Sequence, residues 1–110
     1  MNIPETAREI LAEGVDDWIP SDRAVYLAGN HASIAGRSRD EIFKESMEFL
    51  LSNNLVTLGQ IGESGYEPCN SGGGDIVRAL ITRLIEVDWR PQGALCWIAN
   101  TALGDHVATS

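Results

Sequence analysis

The sequence from residue 38 to residue 61 is SRDEIFKESMEFLLSNNLVTLGQI, and it predicts a helix followed directly by a strand. Ser38 and Glu41 have the spacing of a capping box, in which the serine hydroxyl accepts from the glutamate backbone N–H. The pair Asn53 and Asn54 ends this helix, and residues 55–61 alternate as a strand does. Apolar residues recur at helical spacing before that end: Ile42, Phe43, Met47, Phe49, Leu50 and Leu51. In the strand, Val56 and Leu58 face one way, and Leu55, Thr57 and Ile61 face the other.

Two further helices are predicted before this stretch. The first begins near Pro4, because a proline in the first helical turn loses no hydrogen bond, and Gly14 offers a left-handed stop. Residues 16–20 follow as a turn in which we expect Trp18 to fold back onto the core. Ser21 is expected to cap the second helix. Its apolar residues are Val25, Leu27 and Ala28, and residues 29–36 form a polar link of small residues.

The second half of the chain predicts a loop, a long helix and another strand. Residues 62–74 contain five glycines and a proline, which is typical of an exposed loop. Asp75 opens a helix that ends at Val87, placing its carboxylate at the positive end of the helix dipole. This helix is apolar on more than one side, so it either packs centrally or covers a partner, and we expect central packing. Residues 94–99 form the second strand, and Asn100 and Thr101 are candidate caps for a last helical turn.

Composition indicates one ordered, acidic domain spanning residues 1–110. Hydrophobic residues make up 44% of the chain and charged residues 22%, as in globular proteins. Sixteen acidic residues against eight basic ones give a formal net charge of −8, which repels phosphate backbones and anionic lipid surfaces. No apolar run approaches the length of a membrane span, and no basic, apolar secretory signal opens the chain. We therefore expect a cytoplasmic protein in which Cys69 and Cys96 are reduced thiols.

Two short segments resemble a winged-helix domain. Residues 50–56, LLSNNLV, match the apolar pair, turn and leucine-valine strand start that commonly follow the third helix of that family. Residues 97–104, WIANTALG, match a second wing strand that closes on threonine, two residues and glycine, here Thr101 and Gly104. The resemblance implies an α+β fold with three N-terminal helices and a small antiparallel sheet. This chain departs from it by inserting a long helix between the two main strands, where the family has a short wing tip.

The resemblance also implies DNA binding, because the third helix of a winged helix enters the major groove. The residues that would contact DNA are Arg37, Arg39 and Lys44. They are outnumbered on or next to the same helix by four acids: Asp40, Glu41, Glu45 and Glu48. A net acidic recognition helix disfavours that activity, since a fold does not carry its function with it.

The sequence predicts no catalytic residue, cofactor site or metal site. The glycines of residues 70–75 lack the lysine of a P-loop and the glycine spacing of a dinucleotide fingerprint, so they indicate a helix cap. The four candidate zinc ligands, His31, His106, Cys69 and Cys96, lack the short spacing of structural zinc pairs. Neither histidine is part of a recognisable nucleophile signature.

We therefore expect a non-enzymatic binding or regulatory module that acts through contacts with a protein partner. Homodimerisation through the helix that begins at Asp75 is one form of this hypothesis. The residues expected to contact the partner are Trp18, Trp89 and Trp97 as anchors and Asp16, Asp17, Glu45 and Glu48 as an acidic face. Two alternatives remain: a DNA-binding transcriptional regulator using the three basic residues named above, and a small hydrolase or transferase. The latter requires an enclosed polar pocket near His31 or His106.

Overall fold

Five helices and a small antiparallel sheet make up the α+β fold of the residues that the structure describes. The computed structural model describes residues 2–62, 65–68, 73–89 and 96–109. The helices are α1 (Glu5–Gly14), α2 (Ser21–Ala35), α3 (Arg39–Ser52), α4 (Gly73–Glu86) and α5 (Ala102–Ala108). The strands are β1 (Ile19–Pro20), β2 (Val56–Gly62), β3 (Gly65–Pro68) and β4 (Trp97–Asn100).

The sheet has the strand order β1-β4-β2-β3. Its body is formed by β4, β2 and β3, and the two-residue β1 extends one edge by pairing with β4. Val56 and Leu58 are buried, whereas Thr57 between them is half-buried, as the predicted alternation requires. Leu55, which was predicted to face the same way as Thr57, is nevertheless fully buried just before β2. The sheet therefore contributes one covered face to the core, where Leu58 lies opposite Ile98.

The core lies between the first three helices and this face of the sheet. Ala7, Ile10 and Leu11 of α1 are buried at the i, i+3, i+4 spacing of one helical face. The central helix α3 packs against α1, α2 and α4. The largest fully buried side chains that it contributes are Phe43, Met47 and Leu50.

Several predicted helix ends are confirmed. The Ser38 hydroxyl accepts a hydrogen bond of 3.2 Å from the backbone N–H of Glu41, as a capping serine does. Asn54 ends α3 in the left-handed region at φ 57°, where asparagine is tolerated, and Leu55 N–H donates to the carbonyl of Leu50. The Thr101 hydroxyl caps α5 by accepting from the N–H of Gly104 at 3.0 Å.

The prediction for Gly14 was wrong in its reason, although α1 does end at this residue. The left-handed glycines of the described chain are Gly36 and Gly65. Gly14 instead allows a close approach, because a Cβ at this position would collide with the side-chain amide of Asn100. That amide donates to the carbonyl of Leu11 at 2.9 Å, so α1 ends against the junction of β4 and α5.

The second helix differs from its prediction at both ends. Pro20 is its N-cap, and the Ser21 hydroxyl accepts from the backbone N–H of Cys96, which ties the start of α2 to β4. The predicted link over residues 29–36 was wrong, because α2 continues to Ala35 and ends at Gly36 with φ 68°. The burial of Ala32 stabilises this extension, and tertiary packing overrides the weak helix propensity of the small polar residues around it.

The predicted loop over residues 62–74 was wrong where β3 pairs with β2 and where α4 begins at Gly73. Residues 63–64 and 69–72 of that loop lie outside the described residues. Burial of Trp18 was also wrong, since this side chain is 43% exposed. After the turn the chain enters the edge strand β1, where pairing with β4 buries Ile19 and leaves its neighbour Trp18 exposed.

The expected central packing of α4 does not occur within the described chain. Val77, Leu80 and Leu84 are buried at i, i+3 and i+7, which is a single helical face turned toward α3. Ile85 is 59% exposed and Val87, just after the helix, is 40% exposed. The apolar surplus that the sequence indicated therefore faces outward.

Candidate functional site

The exposed side of α3 forms an acidic face. A shallow groove of about 600 Å³ runs along it, and the side chains of Glu41, Lys44, Glu45 and Glu48 line this groove together with Arg37. Arg37 Nη2 lies 2.7 Å from Glu45 Oε2 and 3.5 Å from Glu41 Oε2. The hydrogen bond to Glu45 raises the pKa of Arg37. The positive charge of Arg37 is therefore paired with these two carboxylates.

The three basic residues predicted to contact DNA do not form one basic surface. Arg37 is held by glutamates on the acidic face, and Lys44 lines the same groove. Arg39 lies on another side of α3, where its guanidinium carbon is 4.9 Å from the centroid of the Trp89 ring. A phosphate backbone approaching α3 would therefore meet Lys44 among carboxylates.

The outer face of α4 is the second candidate surface. We use this name for the exposed residues Arg78, Thr82, Arg83, Ile85 and Glu86, together with Val87 after the helix. It combines two exposed apolar side chains with charges of both signs. A surface of this composition is suited to contact with a second copy of itself, because like charges need not face each other.

One of the three predicted tryptophan anchors is buried, and the other two lie at or next to β1. Trp89 is buried after α4 and meets Phe43 edge-on, with ring centroids 5.6 Å apart. Trp97 is half-buried in β4 opposite Pro20 of β1. Trp18 is exposed next to β1 and donates its backbone N–H to Asp17 Oδ1 at 2.7 Å. One interface therefore does not use all three rings.

The predicted acids fall into two groups. Glu45 and Glu48 lie on the acidic face of α3. Asp16 and Asp17 are exposed in the turn before β1, beside Trp18. Neither Asp16 nor Asp17 lines the groove on the acidic face of α3, whereas Pro4, at the opposite end of α1, does.

The two histidines lie on different helices. His31 is on α2, where its Nε2 is 3.2 Å from Glu9 Oε1, and it lines a cavity of about 300 Å³ that Ser46 also lines. The Ser46 hydroxyl is buried without a hydrogen-bond partner, so it makes no nucleophile–base contact with His31. His106 lies on α5.

The described residues contain no group of three or more histidine, cysteine or carboxylate side chains that could hold a metal ion. Cys96 is a buried thiol, and Cys69 lies outside the described residues. None of the helices in the described part of the chain is both long and apolar enough to cross a bilayer.

The contact that sequence reasoning missed is the one between Arg39 and Trp89. Asp88 and Trp89 both have positive φ, 54° and 57°, and this turn carries the indole back toward α3. Neither residue is a glycine, so nothing in the local sequence indicates a left-handed pair. The sequence groups Arg39 with Arg37 and Lys44, because all three lie on or next to the same helix. Only the fold shows that Arg39 stacks on Trp89 while Arg37 pairs with glutamates.

Comparisons with known proteins give no relative. No family model matches the chain, and neither the search of curated proteins nor the search of solved structures finds a match.

Proposed function

We propose that this chain is a winged-helix-like module that acts by binding proteins, without catalysis and without reading DNA. The winged-helix resemblance is supported by three helices before the antiparallel pair of β2 and β4. Under this proposal, β3 and α4 correspond to the wing tip. The observation that carries the functional proposal is the pairing of Arg37 with Glu41 and Glu45. It leaves the helix that would enter the DNA groove with an acidic surface.

Two contacts follow from the charge distribution. The acidic face of α3 favours a basic partner and disfavours another copy of itself, because an isologous contact would oppose identical carboxylates. The outer face of α4 carries exposed apolar side chains and mixed charge, so it is the surface on which two copies can meet. Self-association through α4 would leave the acidic face of α3 open to the basic partner.

Solution mass tests the self-association. We expect a concentration-dependent dimer in light scattering after size exclusion, and Ile85→Lys should shift it to monomer by placing a desolvated charge at the contact. Val15→Lys is the matched control, since Val15 is also an exposed apolar side chain, at 40%, but lies after α1. A monomer at every accessible concentration, or equal disruption by both variants, would contradict the α4 interface.

DNA binding remains the second candidate because Lys44 and Arg39 make no ion pair with any described residue. Gel retardation of random duplex at low salt tests it. The protein-binding proposal predicts no shift at micromolar protein. A shift that salt removes and that Lys44→Gln weakens would establish the regulator instead.

A further inference from the structure

A cavity of about 340 Å³, widely open to solvent, lies between α2 and the turn that follows α4. Its lining includes Asp22, Tyr26 and Asn30 from α2, and Arg39 and Trp89 from across the gap. The volume is within the range of small-ligand sites, and the lining combines aromatic rings with a few polar groups, as such sites do. This cavity is separate from both surfaces of the proposed function.

Arg39 is the unusual member of this lining. Its guanidinium lies over the Trp89 ring, and its Nε is buried without a hydrogen-bond partner. Among the described residues it forms no hydrogen bond or ion pair, whereas Arg23 and Arg37 are each held by carboxylates. The chain has twice as many acidic as basic residues, so most guanidinium groups are expected to find a carboxylate partner within it. Arg39 has none among the described residues, although its guanidinium is stacked on a ring.

The stacking fixes the guanidinium in place. Trp89 packs edge-on against Phe43, and its backbone N–H donates to the carbonyl of Leu84 at 2.7 Å. The two consecutive positive φ angles at Asp88 and Trp89 are strained for side-chain-bearing residues, and such strain is concentrated at binding and catalytic sites. The indole thus covers one face of the guanidinium. Because Nε is buried, the terminal nitrogens Nη1 and Nη2 are the donors left for a ligand.

We propose that this cavity binds a small carboxylate ligand, with Arg39 holding the carboxylate and the exposed ring of Tyr26 contacting an apolar part of the ligand. A guanidinium edge matches the two oxygens of a carboxylate, and a guanidinium on an aromatic ring retains that edge. Asp22 on the same lining and the net charge of −8 oppose a polyanion such as a nucleic acid or an acidic protein. A singly charged small molecule meets the least of this repulsion.

Nitrogen-proton correlation spectra test the proposal, because the buried Nε–H of Arg39 reports directly on the site. The probes are N-acetylphenylalanine, its carboxamide, which has the same shape without the charge, and inorganic phosphate. We expect the carboxylate to shift the Arg39 Nε–H and the Tyr26 backbone signals, and the carboxamide to leave them in place. Equal shifts from both phenylalanine compounds, or equally tight phosphate binding, would overturn the proposal.

Substitutions distinguish specific binding at Arg39 from nonspecific electrostatic attraction of the carboxylate. Arg39→Lys keeps the charge but removes the flat, two-pronged donor, so we expect at least tenfold weaker binding of N-acetylphenylalanine. Lys44→Gln removes a positive charge from the same helix outside the cavity and should leave that affinity unchanged. Equal weakening by both variants would overturn the proposal. Tyr26→Ala, at a side chain 58% exposed, provides a weakened binder whose folding does not depend on Arg39.

Discussion

At the residue scale, Thr101 and Gly104 join β2 to α5. The Thr101 hydroxyl accepts from the N–H of Gly104 and lies 2.7 Å from the carbonyl of Asn54, to which it donates. Thr101 N–H donates to the carbonyl of Leu55. Gly104 lies so close to that same carbonyl that a Cβ would collide with it. The threonine-x-x-glycine segment that supports the family resemblance therefore has a structural reason.

Gly104→Ala should lower the free energy of unfolding by about 1–3 kcal/mol, because the backbone of Leu55 must move to admit the methyl group. Gly29→Ala is the matched control within a helix, since a Cβ there would lie at an ordinary 3.7 Å from Arg39 Cδ. We expect it to stabilise the protein by about 0.5–1 kcal/mol through helix propensity. Urea denaturation of both variants checks the opposite signs, and equal effects would contradict the described packing.

At the scale of elements, an ion pair links α1 to α2. Arg23 Nε and Nη2 donate to the two carboxylate oxygens of Glu13, each at 2.9 Å. The side-chain hydrogen bond from Arg23 lowers the pKa of Glu13 in the folded chain. A lowered folded-state pKa means that the pair contributes stability above the usual glutamate pKa. This contribution is lost as the pH falls through the folded-state pKa.

Glu13→Gln should therefore destabilise the protein near neutral pH and match the parent in acid. Both side chains are about 40% exposed, so screening limits the difference to below about 1 kcal/mol. Thermal melts of parent and variant from about pH 7 downward measure it. The difference should shrink once the pH is below the usual glutamate pKa of about 4.3 and vanish below the lowered folded-state pKa of Glu13. A difference that does not shrink as the pH falls would show that the glutamine acts through packing instead.

The sequence predicts elements best where local chemistry decides them. The capping of α3 by Ser38 and the asparagine turn at Asn54 follow from side chains that act within four residues of their own position. The extension of α2 depends on burial of Ala32, and β3 depends on pairing with β2. Both are tertiary effects, so the local sequence does not predict either element. The contact of Arg39 with Trp89 could not be predicted locally either, because Trp89 is fifty residues away in sequence and reaches Arg39 through a turn without glycine.

At the scale of the whole molecule, the net charge of −8 opposes the meeting of two copies. Coulomb repulsion between them acts over the Debye length, which shortens from about 30 Å at 0.01 M salt to about 8 Å at 0.15 M. The apolar contact that we propose at Ile85 and Val87 would be much less sensitive to salt. Screening therefore removes the opposing force and leaves the attractive one.

The dimer dissociation constant should accordingly fall as salt is raised over that range, which sedimentation velocity can measure. Binding of a basic protein to the acidic face of α3 should weaken over the same range, because there the charges attract. Raising the salt concentration should therefore strengthen the dimer and weaken binding of the basic protein, which distinguishes the two surfaces in one preparation. A dimer that salt dissociates would indicate that complementary charges, and not the apolar side chains of α4, hold it together.

The hydrogen bond between Asn100 and Leu11 spans 89 residues, and the one between Cys96 and Ser21 spans 75. On a ribosome, the first helix therefore emerges long before the strand and helix against which its end packs. Until residues 96–108 have left the exit tunnel, the end of α1 and the edge strand β1 lack their partners. The native structure therefore cannot close before residues 96–108 have left the tunnel, and nascent-chain chaperones have that interval in which to bind the chain.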